Sequence, residues 1–399
     1  MLFLHTQNRI MNEETRQFIM AHRCDDVRQL AFKKNVPPAI DLRYALQQIE
    51  ARQRLADKVP TWAANQQIEF PPHLSVEQCS SERAARYKAS LLQGDIFVDL
   101  TGGMGVDCYF MSSNFRQTHY VEQQPLLAEL ASKNFEVLAA DICVHNQSAE
   151  TFLEQIDAVS ALFIDPARRD NAGRKMVSIS DCTPDVAALQ HTLLNKAPKV
   201  LIKLSPMLDI AVVLRELQHV KAIHVVAVEN ECKELLVELE RDFDGAPTVH
   251  AVNLTAAPTE RFTFCPSDEK CAVHALASGV GSYLYEPNAA LLKAGAFRSV
   301  AQRFGIDKLH TNSHLYTSNE LIEDFPGRRF EVEAVVPFKS RMKPTDLPDI
   351  DKANMAVRNF PLSVAELRKL LKIGDGGQTY IFATTLFDNS KVLIICHKA

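Results

Sequence analysis

Asp95-Ile-Phe-Val-Asp99-Leu-Thr101-Gly102-Gly103-Met-Gly105-Val-Asp107 is an apolar run that ends in an acid and breaks at once into a glycine-rich turn. The residues from Ile96 to Leu100 are mostly β-favouring and apolar, which predicts a parallel strand covered on both faces. Gly102, Gly103 and Gly105 let the backbone turn tightly and approach a ligand where a Cβ would collide. A helix is predicted from about Met104 to Ser113, its free N–H groups aimed at that ligand.

The absences in this loop argue for a particular ligand. A dinucleotide loop reads Gly-x-Gly-x-x-Gly/Ala, and its last position packs helix on strand beside a pyrophosphate. Counted from Gly103 and Gly105, that position is Cys108; counted from Gly102, Met104 already stands where the second glycine is needed. Asp99 lies just before the loop, where it would repel a pyrophosphate. A carboxylate there suits a cationic ligand such as the amino group and sulfonium of S-adenosylmethionine. A plain strand-to-helix turn would use glycines in the same way.

The next strands add to this. His119-Tyr-Val-Glu122 reads as a second strand ending in an acid about twenty residues past the glycines, the spacing at which a carboxylate binds a ribose diol. Leu126, Leu127, Leu130 and Ala131 then share one helical face. Ile142 to Glu150 reads as a third strand running into polar residues, of which Asn146 and Ser148 can edge an adenine or cap a helix. The fourth strand, Ala161-Leu-Phe-Ile-Asp165-Pro166-Ala167-Arg168-Arg169-Asp170, delivers an acid, a proline and two arginines to the carboxyl edge, where ligands of open α/β sheets bind. Pro166 biases Asp165 toward an extended conformation. Asp165 can align a nucleophile or take its proton. Arg168 and Arg169 can clamp a phosphate or pair with Asp170 and Asp181.

The order Asp-Leu-Thr-Gly-Gly-Met-Gly-Val-Asp, Tyr-Val-Glu, Asn-Gln-Ser-Ala-Glu, Phe-Ile-Asp-Pro-Ala-Arg resembles motifs I to IV of class I S-adenosylmethionine-dependent methyltransferases. The Asp165-Pro-Ala-Arg168 signature is similar to that of RNA 5-methyluridine methyltransferases, which gives RNA substrates weight. Those enzymes end the following strand in Ser-Cys-Asn-Pro, whereas this chain reads Lys203-Leu204-Ser205-Pro206, with Leu204 in place of the attacking cysteine. The Asp-Pro-Pro-Tyr of exocyclic-amine methylases is also absent. The resemblance implies Asp165, Pro166 and Arg168 as catalytic positions. It implies Asp99, Thr101, Gly102, Gly103, Gly105, Glu122, Asn146, Ser148 and Asp165 as cofactor positions, and Arg168, Arg169 and Lys203 as substrate positions.

Further βα units complete a doubly wound α/β fold, a seven-stranded Rossmann-like methyltransferase sheet. Helices are predicted over 184–195, 209–218 and 231–241, and strands over 199–205, 223–229 and 249–254. An N-terminal helical segment, 1–68, precedes the sheet domain, 69–254. In that segment Asn12 caps a helix starting at Glu13, and Leu42, Ala45, Leu46 and Ile49 share a face. Ser75-x-x-Gln78 has the pattern of a capping box opening a further helix. Small C-terminal α+β domains follow. The segment 255–338 resembles a ferredoxin-like domain, and 339–399, with its Ser363-x-x-Glu366 box and Gly374-Asp-Gly-Gly377 turn, resembles the THUMP-like domain of bacterial RNA methyltransferases.

The 399 residues carry a net charge of −5, but 339–399 hold ten Lys/Arg and six Asp/Glu, hence +4, against −9 for the rest. A basic face is possible there, and Arg358, Arg368 and Lys369 are its candidate RNA contacts, alongside Lys339, Arg341, Lys343 and Lys372. With 46% hydrophobic residues and no run near membrane-spanning length, the expectation is a soluble protein of two or three domains. Nine scattered cysteines point to reduced thiols in the cytoplasm. Cys265, Cys271 and His274 lack a Cys-x-x-Cys pair and a fourth ligand, so no metal is expected. The expected partner is RNA, either tRNA or rRNA. Methylation of a small molecule or a protein, and RNA binding without catalysis, are the alternatives.

Overall fold

The computed structural model describes residues 11–33, 35–71, 73–168, 178–256, 258–339, 342, 346–348 and 350–399, with the side chains of 73–75 and of Arg168 left out. Backbone contacts divide the chain into two compact units, Met1–Val220 with Leu236–Asp244, and Lys221–Leu235 with Gly245–Ala399.

The first unit opens with short helices. Asn12 caps Glu13–Ala21 by accepting from the Thr15 N–H, as its position predicts. Ala45 and Ile49 of the helix Leu42–Leu55 are fully buried against Phe18, Ile19 and Leu30. Ser75 does not open a helix: it lies inside His73–Gln78, and the cap belongs to Ser81, whose hydroxyl accepts from Ala84 N at the start of Glu82–Ala89. The spacing from Ser75 to Gln78 fits a capping box, but a cap needs an extended residue, and Ser81 is the one with φ −72° and ψ 153°.

The parallel sheet follows as β1 (Gly94–Asp99), β2 (Phe115–Val121), β3 (Ile142–His145), β4 (Ala161–Ile164) and β5 (Lys199–Leu204). Phe97 and Val98 of β1 and all four residues of β4 are buried, as both-face coverage requires. The order is 3-2-1-4-5, with Val121 opposite His145, Asp99 opposite both Tyr120 and Phe163, and Ile164 opposite Ile202. Connections leave β1 toward β2 and later return to β4 on its other side. The crevice between the carboxyl ends of β1 and β4 is therefore the topological switch point, where open α/β sheets bind ligands.

The chain then makes β6 (Val220–Val228), β7 (Glu231–Glu240), β8 (Thr248–Leu254) and β9 (Glu260–Phe264). The predicted helix 231–241 is thus a strand. Glu229 and Asn230 both have positive φ, 48° and 64°, the conformation of a two-residue hairpin turn. Leu235, Leu236, Val237 and Leu239 are all buried, so the run is covered on both faces and carries no helical stripe. The seventh strand is β7, and Thr248–Leu254 is an eighth.

Within the second unit β8 pairs parallel with β6, His224 opposite His250, and antiparallel with β9. A separate sheet comprises β10 (Tyr283–Pro287), β11 (Asp307–Lys308), β12 (Tyr316–Ser318), β13 (Gly327–Pro337), β14 (Lys352–Arg358), β15 (Gly374–Thr385) and β16 (Lys391–Lys398). Its order is 11-12-10-13-16-15-14, with the β14–β15 pair alone parallel. The helix Val364–Leu371 starts at the predicted Ser363 and Glu366 capping box and buries Leu367 and Leu371.

Candidate active site

Asp99, at the end of β1, is 1% exposed. Its carboxylate accepts from the Thr101 N–H at 3.0 Å, and the Thr101 hydroxyl accepts from the Asp165 N–H at 2.6 Å, tying the ends of β1 and β4 together. Burial pushes the Asp99 carboxyl well above the usual carboxylate range. The Thr101 N–H opposes this, and the negative charges of Asp107, Asp165 and Glu122 reinforce it.

The glycine loop has two kinds of glycine. A Cβ on Gly102 would lie 2.0 Å from the Tyr120 ring, so that glycine serves packing. Gly103 has φ +55°, and a Cβ there would meet nothing nearer than the Thr101 carbonyl at 3.8 Å. Its face is open to a ligand. Gly105, with φ +88°, precedes the helix Val106–Ser112 and abuts Phe135. Tyr120 donates its hydroxyl proton to the Gly103 carbonyl at 2.5 Å, which fixes the far side of the loop.

Glu122, one residue past β2, is 7% exposed. One carboxylate oxygen accepts from Gly103 N at 2.9 Å and the other from Gln124 N at 2.8 Å. Each keeps a second lone pair for a hydroxyl donor. Asn146 donates its amide to the Glu122 carbonyl at 2.8 Å, while Ser148 caps the helix Ala149–Gln155 by accepting from Thr151 N. Asp99, Thr101, Gly103, Glu122 and Asp165 thus stand around one crevice edge, and Asn146 lies beside it.

Charge is organised by residues whose roles the sequence hid. Asp165 Oδ2 lies 2.5 Å from the Lys203 ammonium, which is also 3.9 Å from Asp107 Oδ2. Asp107 further accepts from the Ser80 hydroxyl at 2.7 Å and lies 3.2 Å from the ammonium of Lys88, a side chain with no exposure at all. Burial pushes the Asp107 carboxyl up, but Lys88, Lys203 and the Ser80 bond outweigh it and hold it below the usual range. Lys88 sits on the inner face of Glu82–Ala89 with Ala84 and Ala85, a lysine on an apolar stripe that could have flagged the buried pair. Asp107→Asn would leave Lys88 buried without its carboxylate, and should cost about 3–5 kcal/mol. Urea unfolding is the check; a loss below about 1 kcal/mol would show that the pair is solvated.

Pro166 is buried beside Asp165. Arg168 is the second residue of a two-residue ladder, Ala167–Arg168 with Cys182–Thr183, and its side chain lies outside the described residues, as do Arg169 and Asp170 entirely. In the second unit the predicted contacts divide. Arg358 donates to Oε1 of the buried Glu286 at 2.6 Å while Arg328 Nε donates to Oε2 at 2.7 Å. Arg368 pairs with Asp375, whereas Lys369 is exposed. Lys339 and Lys372 are exposed, and Arg341 and Lys343 lie outside the described residues. No described helix is long and apolar enough to cross a membrane.

Residues 283–326 match a ferredoxin-like domain family and 327–398 a THUMP domain-like family. No curated protein matches the chain. Among solved structures, a protein of Porphyromonas gingivalis W83 provisionally named a methyltransferase is 34% identical, with a TM-score of 0.86 over 98% of this chain and 100% of that one. An rRNA methylase of Streptococcus thermophilus is 16% identical with a TM-score of 0.30, over 40% of this chain and 94% of that one. A Streptococcus mutans protein, also provisionally named a methyltransferase, is 14% identical with a TM-score of 0.30, over 39% and 95%. The identity and coverage of the first place the chain by themselves: it belongs to the family of that Porphyromonas gingivalis protein, whose provisional name is methyltransferase, and its C-terminal part matches ferredoxin-like and THUMP domain-like families.

Proposed function

We propose that this chain is an S-adenosylmethionine-dependent methyltransferase of RNA, acting on tRNA or rRNA in the cytoplasm by direct transfer without a cysteine nucleophile. The observation that carries the reading is the glycine loop behind the buried Asp99, with Gly103 open above it and Asp165 at the neighbouring strand end. When bound, S-adenosylmethionine supplies a methyl group on a positively charged sulfur. Asp99 faces that charge, Glu122 accepts from ribose hydroxyls, and Asn146 and Ser148 edge the base, with Thr101, Gly102 and Gly105 shaping the cradle. Asp165 receives the nucleophile and its proton, on a backbone that Pro166 holds extended. Arg168 and Arg169 meet substrate phosphate.

Leu204 offers no nucleophile at the end of β5. Burial pushes the Cys79 thiol up, against the opposing charge of Lys58, and burial also pushes the Cys108 thiol up, which disfavours the thiolate at both. RNA is favoured by the +4 excess of 339–399 and by the THUMP domain-like match over 327–398. The working division is 1–68 helical segment, 69–254 methyltransferase domain, 255–338 ferredoxin-like domain and 339–399 THUMP-like domain. Tritium from methyl-labelled S-adenosylmethionine, followed into RNA, protein and metabolite fractions of a strain lacking the gene, tests the substrate class. Label confined to protein or metabolites would replace RNA as the substrate.

Protonation of Asp99 gives a pH dependence of defined sign. Asp99 faces the cation as a carboxylate, so at pH values below its raised range cofactor affinity should rise with pH, by up to about tenfold per pH unit. Calorimetry in buffers of different ionisation enthalpy should record proton release on S-adenosylmethionine binding. Proton uptake, or affinity falling as pH rises, would contradict this role.

Lys369, exposed on the helix Val364–Leu371, separates RNA contact from structural pairing better than Arg358 or Arg368 does, because both arginines hold carboxylates. Lys369→Gln should flatten the salt dependence of RNA affinity by about 0.7 log unit per tenfold salt. An unchanged slope would move the RNA path off this helix.

A further inference from the structure

We infer that Lys203 is a positioning residue for the transfer step: its ammonium fixes the Asp165 carboxylate at the end of β4, and the buried Lys88–Asp107 pair fixes the ammonium. The inference rests on the methyltransferase reading and assigns Lys203 a role distinct from a substrate phosphate contact.

The geometry favours an inward role. The Lys203 side chain is 14% exposed, and its ammonium is bracketed by Asp165 at 2.5 Å and Asp107 at 3.9 Å. A phosphate would have to compete with two carboxylates already in reach. A lysine stem has several free torsions, so one carboxylate alone would hold it poorly. Asp107 supplies the second anchor and is itself immobilised by Ser80 at 2.7 Å and Lys88 at 3.2 Å. Two cations and two anions thus alternate along Lys88, Asp107, Lys203 and Asp165, so the four side chains together carry no net charge.

What this order accomplishes is orientation. The Asp165 backbone is set by the Thr101 hydroxyl and by Pro166, but its carboxylate turns about two side-chain bonds that neither restrains. Lys203 takes Oδ2, so Oδ1 is the oxygen presented to an incoming hydroxyl or amine. Misplacement of a catalytic group by about 1 Å can cost on the order of a hundredfold in rate. The Asp165 side chain is 37% exposed, so it stays solvated when Lys203 is removed, and Asp107 keeps Lys88 and Ser80. Lys203→Met should therefore fold.

The test is a kinetic cycle on the full chain, with methyl-labelled S-adenosylmethionine and bulk RNA from a strain lacking the gene. Lys203→Met should lower kcat at least about tenfold while both KM values stay within about twofold, and Lys203→Arg should restore most of kcat. Adding Lys203→Met to Asp165→Asn should slow the enzyme no further than Asp165→Asn alone, because Lys203 acts through that carboxylate. Additive losses, or a raised KM for RNA with kcat retained, would overturn the inference and make Lys203 a substrate contact. A second readout needs no turnover. The ¹⁵N spectrum of the lysine ammonium groups should show a slowly exchanging Lys203 signal that is lost or displaced in Asp165→Asn; an unchanged signal overturns the inference even if Lys203→Met fails to fold. Wild-type protein that transfers no methyl group would defeat the methyltransferase reading and leave these spectra to decide the Lys203–Asp165 coupling.

Discussion

Asp165→Ala should lower methyl-transfer turnover by about 10²–10⁴-fold, the range that a positioned acid or base contributes. Cofactor affinity should change by less than about threefold, since the cofactor cradle is carried by Asp99, Gly103 and Glu122. Three features separate Asp165 from the cradle. It stands at the end of β4 and not β1, its side chain is 37% exposed where Asp99 is buried, and its Oδ2 is committed to Lys203. Single-turnover kinetics with saturating S-adenosylmethionine isolates the chemical step. A variant that binds cofactor normally and transfers methyl groups at the wild-type rate would remove Asp165 from the reaction.

Gly103→Val should weaken cofactor binding by more than about 100-fold, equivalent to about 2.7 kcal/mol. Two effects combine. At φ +55° a β-branched residue is strained by about 1–3 kcal/mol. Its side chain would also project into the open side of the loop, where a Cβ meets nothing within 3.8 Å. Gly103→Ala carries a smaller strain and a smaller obstruction, so it should fall between wild type and valine. Any shift of the loop would also disturb the bond from Gly103 N to Glu122. Trp62 is the chain's single tryptophan, fully buried within 4 Å of where a Cβ on Gly105 would lie, and its fluorescence reports whether the variant keeps the fold around the loop. Valine with wild-type affinity would mean that the ligand approaches elsewhere.

The parts of the site legible in the sequence are those set by strand ends. Asp99, Glu122 and Asp165 follow apolar runs, and a parallel sheet necessarily gathers such residues at one edge. Gly102 and Gly103 look alike in the sequence, and only the structure separates them, by the Tyr120 ring against Gly102 and the open face at Gly103. Ser80 and Lys88 fall in the stretch 79–88, which reads in the sequence equally as a segment folded over the cofactor or meeting substrate and as an amphipathic helix with a solvated basic face. Their link to Asp107 depends on how Glu82–Ala89 docks, and no local pattern encodes a contact across 19 or 27 positions. Lys203 was visible as a charge at a strand end, but its partner was not. The sequence pattern misleads at Glu231–Glu240, where acids spaced among leucines imitate a helix and the deciding signal lies in the turn residues Glu229 and Asn230.

The central claim is that an acid-ended glycine loop selects a cation and rejects a pyrophosphate. Calorimetric titration of the full chain with S-adenosylmethionine and, separately, with NAD tests it most directly. Saturable binding of S-adenosylmethionine, together with no heat of binding for NAD, is the predicted result. Tight NAD binding without S-adenosylmethionine binding would contradict it.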